Sequence, residues 1–213
     1  MATSASSTNL QAPPPLLIVM GVTGTGKSTV GAQLAKRLPQ PSVFIDGDDL
    51  HPAGSISKMA SGTALTDQDR IPWLHAARRA CLLRLGLGEE GDEESSQAKH
   101  VVLACSALTR TYRSILMGEE NKKGGEFPPS HVGWVFLTAE ESVLRERMQQ
   151  RSHHFMPTHL LASQLALLEA PTRAEVGEKA FLIQVNVGKK AMSSPEAVTE
   201  TVVQALRAWE DES

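Results

Sequence analysis

The stretch GVTGTGKST, Gly21 to Thr29, carries the spacing G-x-x-x-x-G-K-S, a device for gripping phosphate. Gly21, Gly24 and Gly26 let the backbone turn sharply. Successive N–H groups of the loop, those of Val22, Thr23 and Thr25 included, then converge on phosphate oxygens. A helix running on through Thr29 aims the positive end of its dipole at the same point. Lys27 can reach the β and γ phosphates, and the Ser28 hydroxyl can ligate Mg²⁺. The phosphate tail of a nucleotide is what such a loop holds.

A second group of residues decides what happens to that phosphate. In DGDDLHP, Asp46 and Asp48 stand two residues apart, hence on the same side of an extended chain. One carboxylate can hold a Mg²⁺-bound water while the other accepts or orients a hydroxyl proton. Cationic side chains follow: His51, Lys58, Arg70 and, in TYRSIL, Arg113. Arg147 and Arg151 fall at i, i+4 on one helical face and suit a lid that screens charge on a phosphoryl group in transit. His153 and His154 are adjacent, with no nearby Cys or acid, and make a poor metal-ligand set.

A phosphate loop by itself serves kinases, switches and motors alike. A nucleotide switch would want a D-x-x-G motif at a second strand end and a guanine-reading loop. The third strand ends instead in ACSAL, and NKKG is one polar tetrapeptide in a low-complexity loop. The metal carboxylate therefore falls to the second strand. A kinase acting on another small hydroxy acid, such as shikimate, or on a nucleotide satisfies the same motifs.

These residues need a frame. Five nearly continuous apolar runs read as parallel strands covered on both faces: Leu16 to Met20, Ser42 to Asp46, His100 to Cys105, Val132 to Leu137 and Phe181 to Val187. Helical patterns separate them. Ser28 to Leu38 reads as one helix, and Pro72 as the start of another carrying Trp73, Leu74, Ala77, Cys81 and Leu85. Thr138 with Glu141, and Ser193 with Glu196, have capping-box spacing ahead of two more. In PTHLLASQLALLEAP, Leu161, Leu165 and Leu168 share a stripe. The alternation predicts an α/β, doubly wound parallel sheet of about five strands. Gly88 to Lys99 and Gly118 to Ser130 read as solvated loops.

At 213 residues the chain fits one domain, here 16–213, after a polar, proline-ended tail over 1–15 expected to be disordered. Net charge is −3, which gives no footing for nucleic acid or an anionic membrane. No apolar run approaches a membrane span, and no Lys or Arg precedes Lys27, so no targeting leader is supported. Cys81 and Cys105 are the only cysteines and read as buried thiols in a reducing compartment. A cytoplasmic location is expected.

Beyond these readings, five segments are matched in order: MGVTGTGKSTVGAQLA, DGDDLHP, SKMASGTALTDQDRIPWL, VVLACSALTRTYRSIL and HHFMPTHLLASQLALLEAP. Through them the chain resembles the gluconokinases, P-loop metabolite kinases akin in fold to shikimate and adenylate kinases. The resemblance implies ATP- and Mg²⁺-dependent phosphorylation of the 6-hydroxyl of D-gluconate, a mobile lid over about 147–160, and a homodimer. It also implies roles: Lys27 and Ser28 on phosphate and metal, Asp46 on the metal's water, Asp48 on the sugar-acid hydroxyl. Arg70, Lys58 and Arg113 would bind substrate, Arg147 would lie near adenine, and Arg151 would contact phosphate from the lid. Ser55 stands where the family usually has Asn, His153 where it has Gly, and Ala170 where it has an acid or Pro.

Overall fold

The computed structural model describes residues 14–87, 98–119, 127, 131–150, 158–178, 180–188, 192 and 194–212. Strands β1 (Leu16–Met20), β2 (Ser42–Asp46), β3 (His100–Ala104), β4 (Val132–Thr138) and β5 (Leu182–Asn186) form one sheet in the order β2-β3-β1-β4-β5. Every neighbouring pair is parallel. β1 and β3 are buried along their whole length, whereas the edge strands β2 and β5 are largely half-buried. This explains the unbroken apolar runs of the inner strands.

Side-chain alternation along β1 builds two apolar layers. Leu16, Ile18 and Met20 join Trp73, Leu74 and Trp134 on one face of the sheet. Leu17 and Val19 join Val30, Leu34, Val202 and Leu206 on the other. The first layer receives α3 (Asp67–Arg84) and α4 (Arg110–Met117); the second receives α1 (Lys27–Arg37) and α8 (Pro195–Glu212). The remaining helices are α2 (Ala53–Ala60), α5 (Glu141–Gln149), α6 (Thr158–Leu167) and α7 (Arg173–Val176), with a 3-10 turn at Gly47–Leu50. The doubly wound parallel sheet expected from the sequence is the observed architecture. Among the described residues no helix is long and apolar enough to cross a membrane.

Several local expectations need correction. α3 begins at Asp67 rather than at Pro72, because Thr66 and Asp69 form a reciprocal capping box. Pro72 lies inside that helix. Thr138 does not cap α5; it closes β4, and Glu140 is the N-cap without a side-chain bond. Glu141 pairs with Arg145 one turn on. At α8 the capping hydroxyl is Ser194, which accepts from the Ala197 amide at 3.2 Å, while Glu196 accepts from Gln33. Ser193 lies outside the described residues.

Pro14 and Pro15, the last residues of the expected tail, are among the described residues. Pro14 is buried, its carbonyl 3.2 Å from His100 Nδ1, and Val101 N donates to Pro15 O at 2.7 Å. Residues 1–13 of the expected tail, residues 88–97 of the acidic loop and 151–157 of the expected lid lie outside the described residues.

Candidate active site

β1 ends at Met20 and the phosphate loop follows at once. Gly21, Gly24 and Gly26 all have positive φ, at 140°, 83° and 90°. At Gly21 a Cβ would sit 2.4 Å from the Leu137 carbonyl oxygen, so only glycine fits between β1 and β4. Beside Gly26 there is open space within 4 Å. Gly26 is also the N-cap of α1, with no side-chain cap bond and no acid in the first turn. The N-terminus of α1 thus carries no side-chain cap and no acid, which suits an anion there. Ser28 and Thr29 sit in that first turn. Thr25 Oγ1 donates to Val22 O at 2.8 Å, and Lys27 Nζ reaches back to the same carbonyl at 3.2 Å.

Sheet register places the acidic pair beside this loop. Asp46 is aligned with Ala104 of β3, and Ala104 with Val19 of β1. One row across the sheet therefore links Asp46 to the strand that feeds the loop, two strands away or roughly 10 Å at the usual strand spacing. Asp46 Oδ1 accepts from the Asp48 amide at 3.1 Å, which starts the 3-10 turn and holds both carboxylates at the strand's carboxyl end. The turn presses on β3: a Cβ on Gly47 would come within 2.6 Å of Ala104 O. The buried Cys105 thiol, pushed up to about 12 chiefly by burial, feels the charges of Lys27, Asp48 and Asp46 together. All three charges belong to one edge of the sheet, where ligands of such folds bind.

The next cations line the same side. His51 stacks on Trp73, with centroids 4.2 Å apart and rings 13° from parallel, and Trp73 Nε1 donates to Gly47 O at 2.6 Å. His51 is held below its usual range by burial, with Asp48 opposing and Arg70 reinforcing that shift. Arg70 is 11% exposed; its Nη1 donates to the Tyr112 hydroxyl at 3.2 Å, and that hydroxyl donates to Asp67 at 2.5 Å. Lys58 is tied to Asp69 at 2.5 Å, and this hydrogen bond is the main reason the Asp69 carboxyl is lowered to about 2.

Arg113 departs from expectation. Its side chain is 1% exposed and spans Glu175, at 2.5 and 2.9 Å, and the carbonyls of Ala107 and Glu169, each at 2.9 Å. A substrate role requires an accessible guanidinium, and this one is consumed inside the protein. It steadies Ala107, the one described non-glycine residue with positive φ, 44°.

Arg147 donates to Val187 O at 2.8 Å. Both line a cleft of about 200 Å³ with Thr25, Gly26, Thr29 and Ser194, on the far side of the phosphate loop from the acidic pair. Arg151, His153 and His154 lie outside the described residues. Ser55 is buried, with its amide donating to Pro52 O. Ala170 is exposed beside Glu169. Among the described residues no group of three or more His, Cys, Asp or Glu is arranged to hold a metal. A cation here would rest on few protein groups plus phosphate oxygens, the usual manner of Mg²⁺.

Two functional neighbours escaped the sequence reading. Tyr112 bridges Arg70 to Asp67, and Gln164 Oε1 accepts from the Thr23 amide at 2.7 Å. A signal existed for Gln164, a polar residue among Leu161, Leu165 and Leu168. None existed for Tyr112.

Residues 17–156 match the AAA domain family. The chain is 40% identical to a probable gluconokinase of Mus musculus, over 91% of this chain and 98% of that protein. It is 39% identical to a gluconokinase of Gluconobacter oxydans, over 92% and 93% of the two chains. The crystal structure of a gluconokinase from Sinorhizobium meliloti superposes with a TM-score of 0.70 at 36% identity, covering 95% of this chain and 97% of that one.

Proposed function

The chain belongs to the gluconokinase family, and from that premise we propose that it transfers the γ-phosphoryl group of ATP to the 6-hydroxyl of D-gluconate, giving 6-phospho-D-gluconate and ADP. The observation that carries this reading is the meeting of an uncapped glycine cradle, Lys27 and a strand-end carboxylate pair on one edge of the sheet.

Mg-ATP supplies the phosphoryl group and the cation that neutralises its oxygens. The chain's own residues do the rest. The amides of Val22, Gly24 and Gly26 to Thr29 would hold the phosphates, Ser28 would offer its hydroxyl to Mg²⁺, and Asp46 would hold a water of that ion. Lys27 spreads positive charge over the transferring group, which is where most catalytic electrostatics in phosphoryl transfer resides. Asp48 receives the hydroxyl hydrogen bond and takes the proton as the new ester forms. His51, Lys58 and Arg70 face the polyol and its carboxylate, for which charged and polar partners suit and an apolar slot does not. The adenine ring goes to the cleft bordered by Arg147, and Arg151 completes the phosphate clamp. The amides of Gly21, Thr23 and Thr25 are bonded within the protein, to Ser106 O, Gln164 Oε1 and Val22 O, and shape the loop.

We further propose that the protein works as a homodimer in the cytoplasm; two free, buried cysteines suit a reducing compartment. The test is an ADP-coupled assay with Mg-ATP and a panel of gluconate, shikimate, glucose and nucleoside monophosphates. Gluconate should stimulate ADP release far above the others. Equal rates with and without gluconate would end the proposal.

A further inference from the structure

Gln164 lies on α6, three residues after the fully buried Leu161 and one before Leu165, so its side chain belongs to the helix's inner stripe. A polar side chain there needs a partner, and it has one in the Thr23 amide at 2.7 Å. Among the described residues two other amides between Gly21 and Thr25 donate hydrogen bonds: Gly21 to Ser106 O at 3.3 Å and Thr25 to Val22 O at 3.4 Å. The bond to Gln164 is the shortest and the one made to a side chain.

Followed around, these contacts close a ring. Gly21 N binds Ser106 O; two residues on, Leu108 O accepts from Glu169 N at 2.8 Å; five residues back, Gln164 accepts from Thr23, two residues after Gly21. Glu169 is pinned further, its Oε2 accepting from the Arg110 amide at 2.6 Å and its carbonyl accepting from Arg113 at 2.9 Å. The ring thus joins the phosphate loop, the turn after β3 and α6. From that turn α4 departs, carrying Tyr112 and through it Arg70. Without Gln164 the ring opens at the phosphate loop, while the core stripe of α6 stays in place.

We propose that Gln164 is a positioning residue for phosphoryl transfer: by holding the Thr23 amide it fixes the phosphate loop against the turn that carries the substrate-side helix. The inference rests on the kinase reading above, since it assigns the brace a purpose in that reaction. The carboxamide oxygen does this work. A misplacement of about 1 Å between donor and acceptor sites costs on the order of 100-fold in rate.

The experiment compares wild type with Gln164→Met, which keeps length and loses a strong acceptor, and Gln164→Glu, which keeps an acceptor for Thr23. Read-outs are kcat and KM for gluconate, ADP affinity by calorimetry, melting temperature, and hydrogen exchange of the Thr23 amide. The expected result for Gln164→Met is faster Thr23 exchange and kcat lower by about tenfold or more. KM for gluconate and the melting temperature should stay close to wild type. Gln164→Glu should recover a large part of kcat, its added charge showing as weaker nucleotide binding. Wild-type kcat in Gln164→Met, unchanged Thr23 exchange, or a Glu variant no better than Met overturns the proposal; so does a loss confined to KM for gluconate. If Gln164→Met does not fold, Gln164→Glu and Gln164→Asn carry the same comparison. Wild type inactive on gluconate defeats the functional reading instead, and Thr23 exchange and ADP affinity still report on the brace.

Discussion

His51 lies flat on Trp73, 4.2 Å between ring centroids, with its Nδ1 buried and without a partner among the described residues. A charged imidazole is disfavoured there, so the group binds its proton less tightly folded than unfolded. His100 shifts in the same direction, again chiefly through burial. The unfolded chain then takes up more protons, and stability falls as pH drops below the ordinary value of 6.5. Melting temperatures between pH 7.5 and 5.5 should decline, and His51→Gln should flatten that slope. An identical slope in the variant would remove His51 from the account.

Lys27 and Asp48 are the least replaceable side chains in the proposed reaction. Lys27→Ala should lower kcat by about 10²–10³-fold, and Asp48→Ala by at least about 10²-fold. Asp48 is exposed, so its removal should leave the circular dichroism spectrum and melting temperature nearly unchanged. A folded Asp48→Ala protein with near-normal turnover would refute the role given to that carboxylate.

Tyr112 should act through Arg70. Its hydroxyl accepts from Arg70 Nη1 and donates to Asp67, so Tyr112→Phe leaves the guanidinium present but unsteadied. We expect Arg70→Met to raise KM for gluconate by about tenfold or more, the weight of a lost charged hydrogen bond. Tyr112→Phe should raise it less, with kcat nearly intact. Steady-state kinetics on both variants decides, and a Tyr112→Phe effect larger than that of Arg70→Met would reverse the order of roles.

The Arg113–Glu175 pair should matter for folding rather than for substrate. Removing one partner of a buried ion pair costs about 3–5 kcal/mol. For a chain of this size that is roughly 10 °C in melting temperature. Glu175→Gln should show this loss while the folded fraction keeps its KM for gluconate. Arg113→Lys should not restore stability, because an ammonium cannot span Glu175 and the carbonyls of Ala107 and Glu169 at once. A stable Glu175→Gln protein with a raised KM would return Arg113 to the substrate site.

Gly21 and Gly26 should respond differently to alanine. At Gly26 the added methyl meets open space, leaving the cost of the left-handed backbone, about 1–2 kcal/mol. At Gly21 it strikes the Leu137 carbonyl, so the loop or β4 must move. Chemical denaturation and ADP affinity should both be hit harder by Gly21→Ala; equal effects would contradict the packing described.

What the sequence determined by itself is chemistry set within a few residues of chain. The glycine spacing dictates a cradle because backbone dihedrals are local. Unbroken apolar runs announce covered parallel strands, but the extended chain expected across Asp46 and Asp48 ends at Asp46. Asp48 stands in a 3-10 turn, and the hydrogen bond from its amide to Asp46 Oδ1, not strand period, holds the pair together. Strand pairing order, by contrast, joins residues far apart in the chain, and only the folded sheet put Asp46 in line with β1. The tertiary structure also decided where each polar side chain spent its hydrogen bonds. Arg113 reads like any surface cation until Glu175, 62 residues away, draws it inside. Thr66 and Asp69 start α3 where Pro72 had suggested a later beginning, and Thr138 went to a strand in place of a cap. Gln164 meets Thr23 across 141 residues. A motif fixes its own geometry through bonds it makes to itself, whereas a buried charge or amide takes whichever partner packing brings within 3 Å.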